Sequence, residues 1–206
     1  MRNTDPRPTL IIMVKEPRPG RVKTRLGHDV GMSTAAWWFR HQTRRLIRST
    51  QDPRWRTVLA LAPDESVASS RFWPKGLVRI PQGSGDLGER MARALEMAMP
   101  GPVLLIGGDI PGVTPAGISR AFKALRNHDI VTGPAPDGGF WCIGLTGPMC
   151  PRSLFRNVRW SSENALADTL AGLGGQRVAL TDTLSDVDTI DDLAPAAIHA
   201  TPLTIR

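Results

Sequence analysis

The apolar positions of this chain cluster in short runs separated by amphipathic stretches. Residues 9–14 read TLIIMV, an unbroken apolar and β-branched run of the kind buried on both faces of a sheet. Residues 57–62 (TVLALA), 77–81 (LVRIP) and 102–107 (PVLLIG) repeat the pattern. Residues 130–133 and 140–145 predict two more strands joined by the turn-rich PAPDGG, and residues 177–180 a last short one. Between these runs the period lengthens. STAAWWFRHQTRRLIRST predicts an amphipathic helix starting at Ser33, and LGERMARALEMAM predicts another. Thr114-Pro115 supplies an N-cap and a proline at the first helical position, opening a helix to about Asn127. Further helices are expected over residues 162–173 and from about Asp191.

Strand and helix alternate along the whole chain, which predicts an α/β fold with three αβα layers around an open, mostly parallel sheet. Residues 1–206 read as a single domain with no internal repeat. Such sheets bind ligands beyond the carboxyl ends of their strands. Four stretches stand there: KEPRPGRVKTRLG after the first strand, QGSGDLGER after the third, GGDIPG after the fourth, and PAPDGGFW.

Charge adds one constraint. The net charge of +7 favours an anionic partner. Part of it has a plain structural home, since Arg40, Arg44 and Arg48 recur every four residues on the wet face of the predicted helix. No nucleic-acid-binding module is recognisable. No run reaches the length of a membrane span, and MRNTDPRP lacks the apolar segment of a secretory signal, so a cytoplasmic protein is expected. Cys142 and Cys150 have no metal-ligand spacing and read as free thiols.

The stretch after the first strand is not a Walker A loop, because Val22 precedes Lys23-Thr24. It nevertheless has the chemistry of a phosphate clamp: Arg18, Arg21, Lys23 and Arg25 can reach phosphate oxygens, and Gly20 allows close backbone approach. Gly83-Ser84-Gly85-Asp86-Leu87-Gly88 satisfies G-x-G-x-x-G and admits an NAD-dependent alternative. It also fits a capping box, Asp86 with Glu89. Asp109, leaving a buried strand between glycines and a proline, suits a divalent cation that also binds phosphates. In LSDVDTIDDL, Asp191 and Asp192 fit the first turn of the closing helix. Asp186 and Asp188 alternate on the preceding connection, so one of them is expected to point inward as a second ligand.

Taken together, KEPRPGRVKTRL, QGSGDLGERM, GGDIPG, PAPDGGFWCIGL, WSSENAL and SDVDTIDDL resemble the bacterial GT-A-fold transferases known as nucleotide-diphospho-sugar transferases or glycosyltransferases, associated with radical-SAM and selenodomain proteins. The phospholactate and molybdenum-cofactor guanylyltransferases are relatives in fold. The resemblance implies a metal-dependent transferase using Mg²⁺ or Mn²⁺. Its donor would be a nucleotide sugar and its acceptor a small molecule; the alternative is nucleotidyl transfer from a nucleoside triphosphate to a phosphorylated acceptor. It implies Arg18, Gly20, Lys23 and Arg25 on the phosphates, with Arg21 a bystander, and Gln82 and Gly85 at the base edge. It places Asp109, beside Gly108, and Asp188 on the metal. Asp137, Gly138 and Gly139 would line the acceptor or sugar side, with Asp137 either a general base or simply part of a turn. The sequence departs from the nucleotidyltransferase pattern in lacking AAGxGxR in its first loop. It departs from many glycosyltransferases in lacking Asp-x-Asp at the fourth strand.

Overall fold

The run at residues 9–14 becomes the central strand, β1 (Thr9–Lys15), in which Leu10, Ile11 and Ile12 are fully buried. The structure, a computed structural model, describes residues 7–98, 101–146 and 151–193. Among these, β2 (Arg56–Ala62), β3 (Val78–Pro81), β4 (Val103–Gly107), β5 (Ile130–Pro134), β6 (Phe140–Leu145) and β7 (Val178–Leu180) join β1 in one seven-stranded sheet. Its order is β3-β2-β1-β4-β6-β5-β7. β6 runs antiparallel to β4 and β5, and every other pairing is parallel. The exception follows from chain length: PAPDGG closes a tight turn in which Ala135 N donates to Gly139 O at 3.0 Å, and so short a connection can only reverse direction.

The helices are α1 (Thr24–Val30), α2 (Met32–Ser49), α3 (Ser66–Ser69), α4 (Leu87–Ala98), α5 (Pro115–Ala124), α6 (Pro151–Leu154) and α7 (Ala165–Ala171). They cover both faces of the sheet. Leu10, Ile12, Val14, Leu104 and Ile106 pack with Leu46 and Ile47 of α2 and Ile118 and Ala121 of α5. Ile11, Val58, Ala60 and Leu105 pack with Met91 and Leu95 of α4 and with Leu154. Alternate residues of β1 thus serve opposite layers, which is why the strand shows no polar alternation.

Two predicted helix starts have the expected caps. Thr114 Oγ1 accepts from Gly117 N at 3.1 Å ahead of Pro115. Asp86 and Glu89 exchange hydrogen bonds at 2.9 and 2.8 Å, the reciprocal capping box. Other boundaries differ from expectation. Residues 24–30 form a helix that the sequence does not signal, because Gly27 weakens propensity there. A Cβ on Gly27 would lie 2.6 Å from Met32 Sδ, the end of a flexible side chain that can move aside. α7 starts at Ala165, three residues later than expected, and α5 ends before Asn127. The helix expected from Asp191 is a 3-10 turn over Asp191–Leu193, and residues 194–206 lie outside the described residues, as do residues 1–6 and Cys150. Cys142 is buried in β6, which pushes its thiol pKa up and leaves it unreactive. Among the described residues no helix is long and apolar enough to cross a membrane.

Gly133 of β5 lies under the Trp141 indole, and a Cβ there would stand 2.1 Å from Nε1. That indole donates to Asp182 O at 2.7 Å and so ties β6 to the chain beyond β7. Gly133→Ala should therefore destabilise the fold by about 1–3 kcal/mol through overpacking. Urea unfolding measures this, and an unchanged midpoint would refute the packing account.

Candidate functional site

β1 and β4 are neighbours, yet the chain leaves β1 for β2 on one side and returns to β4 on the other. Their following loops diverge, and the crevice between them is the topological switch point of the sheet. A cleft of about 670 Å³ opens there. One wall is built from the end of β1, residues 21–25 and the exit of β4; the facing wall carries Asp137, Gly139, Phe140 and residues 160–163.

Asp109 is delivered by the Gly107-Gly108 exit of β4. A Cβ on Gly108 would lie 2.5 Å from Val14 Cγ1 and 2.9 Å from Met13 O, so glycine is needed for this exit to lie against β1. Buried Thr43 fixes it from α2, its hydroxyl donating to Gly108 O at 3.2 Å. Asp186 and Asp188 come from the far end of the chain. After β7 the backbone is tied to the ends of β5 and β6 through Thr181 N to Thr132 O at 2.9 Å, Leu184 N to Pro134 O at 3.1 Å, and Trp141 to Asp182. The Arg120–Asp182 ion pair adds a further tie. It then crosses to the cleft with Val187 buried between the two aspartates. Asp192 accepts from the backbone N–H groups of Asp188 and Thr189 at 2.9 and 2.7 Å, holding the turn that presents Asp188.

The carboxylate oxygens of Asp109, Asp186 and Asp188 lie within 4.8 Å of one another. The expectation that only one of Asp186 and Asp188 points inward is corrected here, since both do. Residues two apart on an extended chain share a face, and it is the residue between them that turns away. The Lys23 ammonium sits among these carboxylates, its Nζ 2.5 Å from Asp109 Oδ2, 2.6 Å from Asp188 Oδ1 and 3.4 Å from Asp186 Oδ2. Its side chain is only 5% exposed. Burial alone would lower its pKa, but the charges and hydrogen bonds of Asp109 and Asp188 outweigh that and hold it above the ordinary lysine value. Burial pushes Asp186 upward, and its two acidic neighbours add to the effect against the pull of Lys23. Arg25, largely exposed, reaches Asp188 Oδ2 at 3.2 Å. Three oxygen-donor side chains gathered at one point suit a hard divalent cation such as Mg²⁺ or Mn²⁺.

The other sequence-selected positions divide. Arg18 is exposed and outside the cleft wall, whereas Arg21 lines it together with Lys15, which the sequence did not single out. Gly20 adopts φ 71° in an open turn. Gln82 borders the cleft but is buried, and its side-chain amide donates to Val14 O at 3.1 Å and Ala60 O at 2.8 Å, bridging β1 and β2. Gly85 serves the capping box: a Cβ there would meet Glu89 Oε2 at 2.0 Å, as one on Gly83 would meet Arg93 at 2.2 Å. Side chains of the protein thus fill the glycine loop that the dinucleotide alternative would give to a pyrophosphate. Asp137 lines the cleft, and its Oδ1 accepts from Gly139 N at 2.9 Å within the turn. Gly138, at φ 84°, packs on the backbone of Glu163, where a Cβ would lie 2.0 Å from the carbonyl oxygen. Phe140 and Trp160, paired edge to face at 6.3 Å, add an aromatic flank that sequence reasoning missed, because residues from distant loops build it.

A family model described as an uncharacterized protein conserved in bacteria (DUF2064) matches residues 46–162. Comparison with curated proteins gives no match. Among solved structures, a Desulfovibrio desulfuricans G20 protein assigned by inference as a nucleotide-diphospho-sugar transferase is 29% identical, with TM-score 0.79 over 90% of this chain and 84% of its own. Rv0371c of Mycobacterium tuberculosis H37Rv, solved as a complex with manganese, is 18% identical with TM-score 0.54, covering 90% of this chain and 95% of that one. The 4-diphosphocytidyl-2C-methyl-D-erythritol synthase of Anaerococcus prevotii is 10% identical with TM-score 0.54, over 90% and 94% of the two chains. These last two likenesses are of fold alone.

Because Gln82 donates to two strand-end carbonyls, Gln82→Ala should lower the free energy of unfolding by about 1–3 kcal/mol. Urea titration is the measurement. Intact stability combined with lost nucleotide binding would instead make Gln82 a base-reading residue.

Proposed function

The chain belongs to the bacterial DUF2064 family, and from that premise we propose that it is a single-domain, metal-dependent transferase of the nucleotide-diphospho-sugar type, moving a glycosyl group from a nucleotide sugar to a small acceptor. The observation that carries this reading is the gathering of Asp109, Asp186 and Asp188 at the switch point beside a cationic loop. A bare phosphate site would need only the cations, and a lone metal site only the carboxylates. Their juxtaposition suits a ligand that brings diphosphate and divalent cation together.

In this reading Asp109, Asp186 and Asp188 hold the ion, Mg²⁺ or Mn²⁺, which when bound neutralises charge on the departing diphosphate. Lys15 at the end of β1, and Arg21 and Arg25 beyond it, face the phosphates, and Lys23 at the edge of the triad is within reach of them. Gly108 lets the exit of β4 lie against β1, which sets Asp109 at the mouth of the cleft. Phe140 and Trp160 flank the acceptor side, where they exclude water and present an apolar face. Asp137 stands on that wall as the candidate general base; its Oδ1 is engaged by Gly139 N, which leaves Oδ2 for the acceptor hydroxyl.

Nucleotidyl transfer from a nucleoside triphosphate is the second reading, favoured by the cationic lining of Lys15, Arg21 and Arg25, which suits the greater charge of a triphosphate. A thermal-shift panel with Mn²⁺ distinguishes the two: stabilisation by UDP- or GDP-sugars supports glycosyl transfer, and by CTP or GTP nucleotidyl transfer. Asp109→Asn should remove the Mn²⁺-dependent part of the shift while the protein remains folded by circular dichroism. An undiminished Mn²⁺ response in that variant would sink the metal assignment.

A further inference from the structure

The ammonium of Lys23 stands where the proposed cation would stand. It contacts all three carboxylates, at 2.5, 2.6 and 3.4 Å, and one oxygen from each of the three lies within 4.8 Å of the others. A divalent ion of this class holds its oxygen ligands at about 2.0–2.2 Å. Placed among these carboxylates it would compete with Nζ for the same donors and bring two positive charges together in a space that one ammonium already fills. We propose that Lys23 and the divalent cation are alternative occupants of one site, so that the triad admits its metal together with a diphosphate rather than as a free ion.

Charge and burial give the order of events. Three carboxylates against Lys23 and Arg25 leave one net negative charge. A free dication would reverse that sign and expel the ammonium from its partners. The Lys23 side chain is almost wholly enclosed, and its neighbours Val22 and Leu26 are buried and apolar. An ammonium displaced with no anion to receive it would lose its ion pairs without regaining full hydration. A dication arriving with a diphosphate changes the balance, because a nucleotide sugar's diphosphate carries two negative charges that offset the ion's, and inorganic pyrophosphate carries more. The phosphate oxygens also offer the ammonium new charge-assisted hydrogen bonds on the cleft side.

The backbone points the same way. Lys23 adopts φ 46° and ψ 50° immediately before α1, a left-handed conformation that favours glycine and disfavours lysine. A lysine kept there at that cost marks a position chosen for its side chain.

The inference rests on the metal reading of the triad, and the test separates the two. Mn²⁺ binding is followed by the electron paramagnetic resonance of the free ion for the parent protein, Lys23→Met and Lys23→Arg. Each is titrated without and with inorganic pyrophosphate, against pyrophosphate in buffer. Lys23→Met should bind free Mn²⁺ at least about tenfold more tightly than the parent, because a competing positive charge at contact distance is gone. Lys23→Arg keeps the charge and should bind as weakly as the parent. Pyrophosphate should raise Mn²⁺ uptake by the parent and add little to that of Lys23→Met. If Lys23→Met is unfolded without metal, Mn²⁺ alone should restore its circular dichroism, and failure to do so overturns the proposal. Equal Mn²⁺ affinity in parent and Lys23→Met leaves the metal site standing and removes the exclusion. Absence of Mn²⁺ binding by all three proteins, with pyrophosphate or without, removes both.

Discussion

Three carboxylates held within 4.8 Å of one another repel, and a chain that brings them together must supply a cation at the same place. Here that cation is Lys23, and much of the cleft's construction serves the meeting of these four groups. Asp109 rides on the exit of a central strand, Lys23 on the turn before α1, and Asp186 and Asp188 on a segment more than seventy residues further on. Their attraction ties the end of the described chain to its first loop across the carboxyl edge of the sheet.

Glycines make the approach possible. Gly108 lets the exit of β4 lie on the backbone of β1, and Gly133 lets Trp141 lie flat enough to reach Asp182. Gly138 lets the turn after β5 rest on the backbone at Glu163. In each case the glycine works through close packing that positions a neighbour. The Gln82 amide likewise braces two strands where it borders the cleft.

The strands β1, β2 and β4 and their burial on both faces were legible because unbroken apolar runs have few other solutions. Thr114-Pro115 and the Asp86/Glu89 box were legible because caps are local chemistry. Asp109 was singled out by its place at a strand exit. α1 was not legible, because no side-chain cap announces it and Gly27 lowers the helical propensity at its centre. Asp186 and Asp188, two apart on an extended segment, share a face by the period-two rule, but that this face meets Lys23 is not written locally.

The layered α/β architecture, the edge of the sheet where the cleft opens and the types of charged group gathered there are written in the sequence, since these follow from periodicity and from local turn and cap chemistry. Only the tertiary structure decided which charges meet. It turned Arg21 into the cleft and left Arg18 outside, committed Gly85 and Gln82 to support, and set Lys23 among three aspartates. The reason is distance along the chain: Lys23 and Asp188 are 165 residues apart, and no local pattern encodes a contact that the sheet order and the crossing after β7 create.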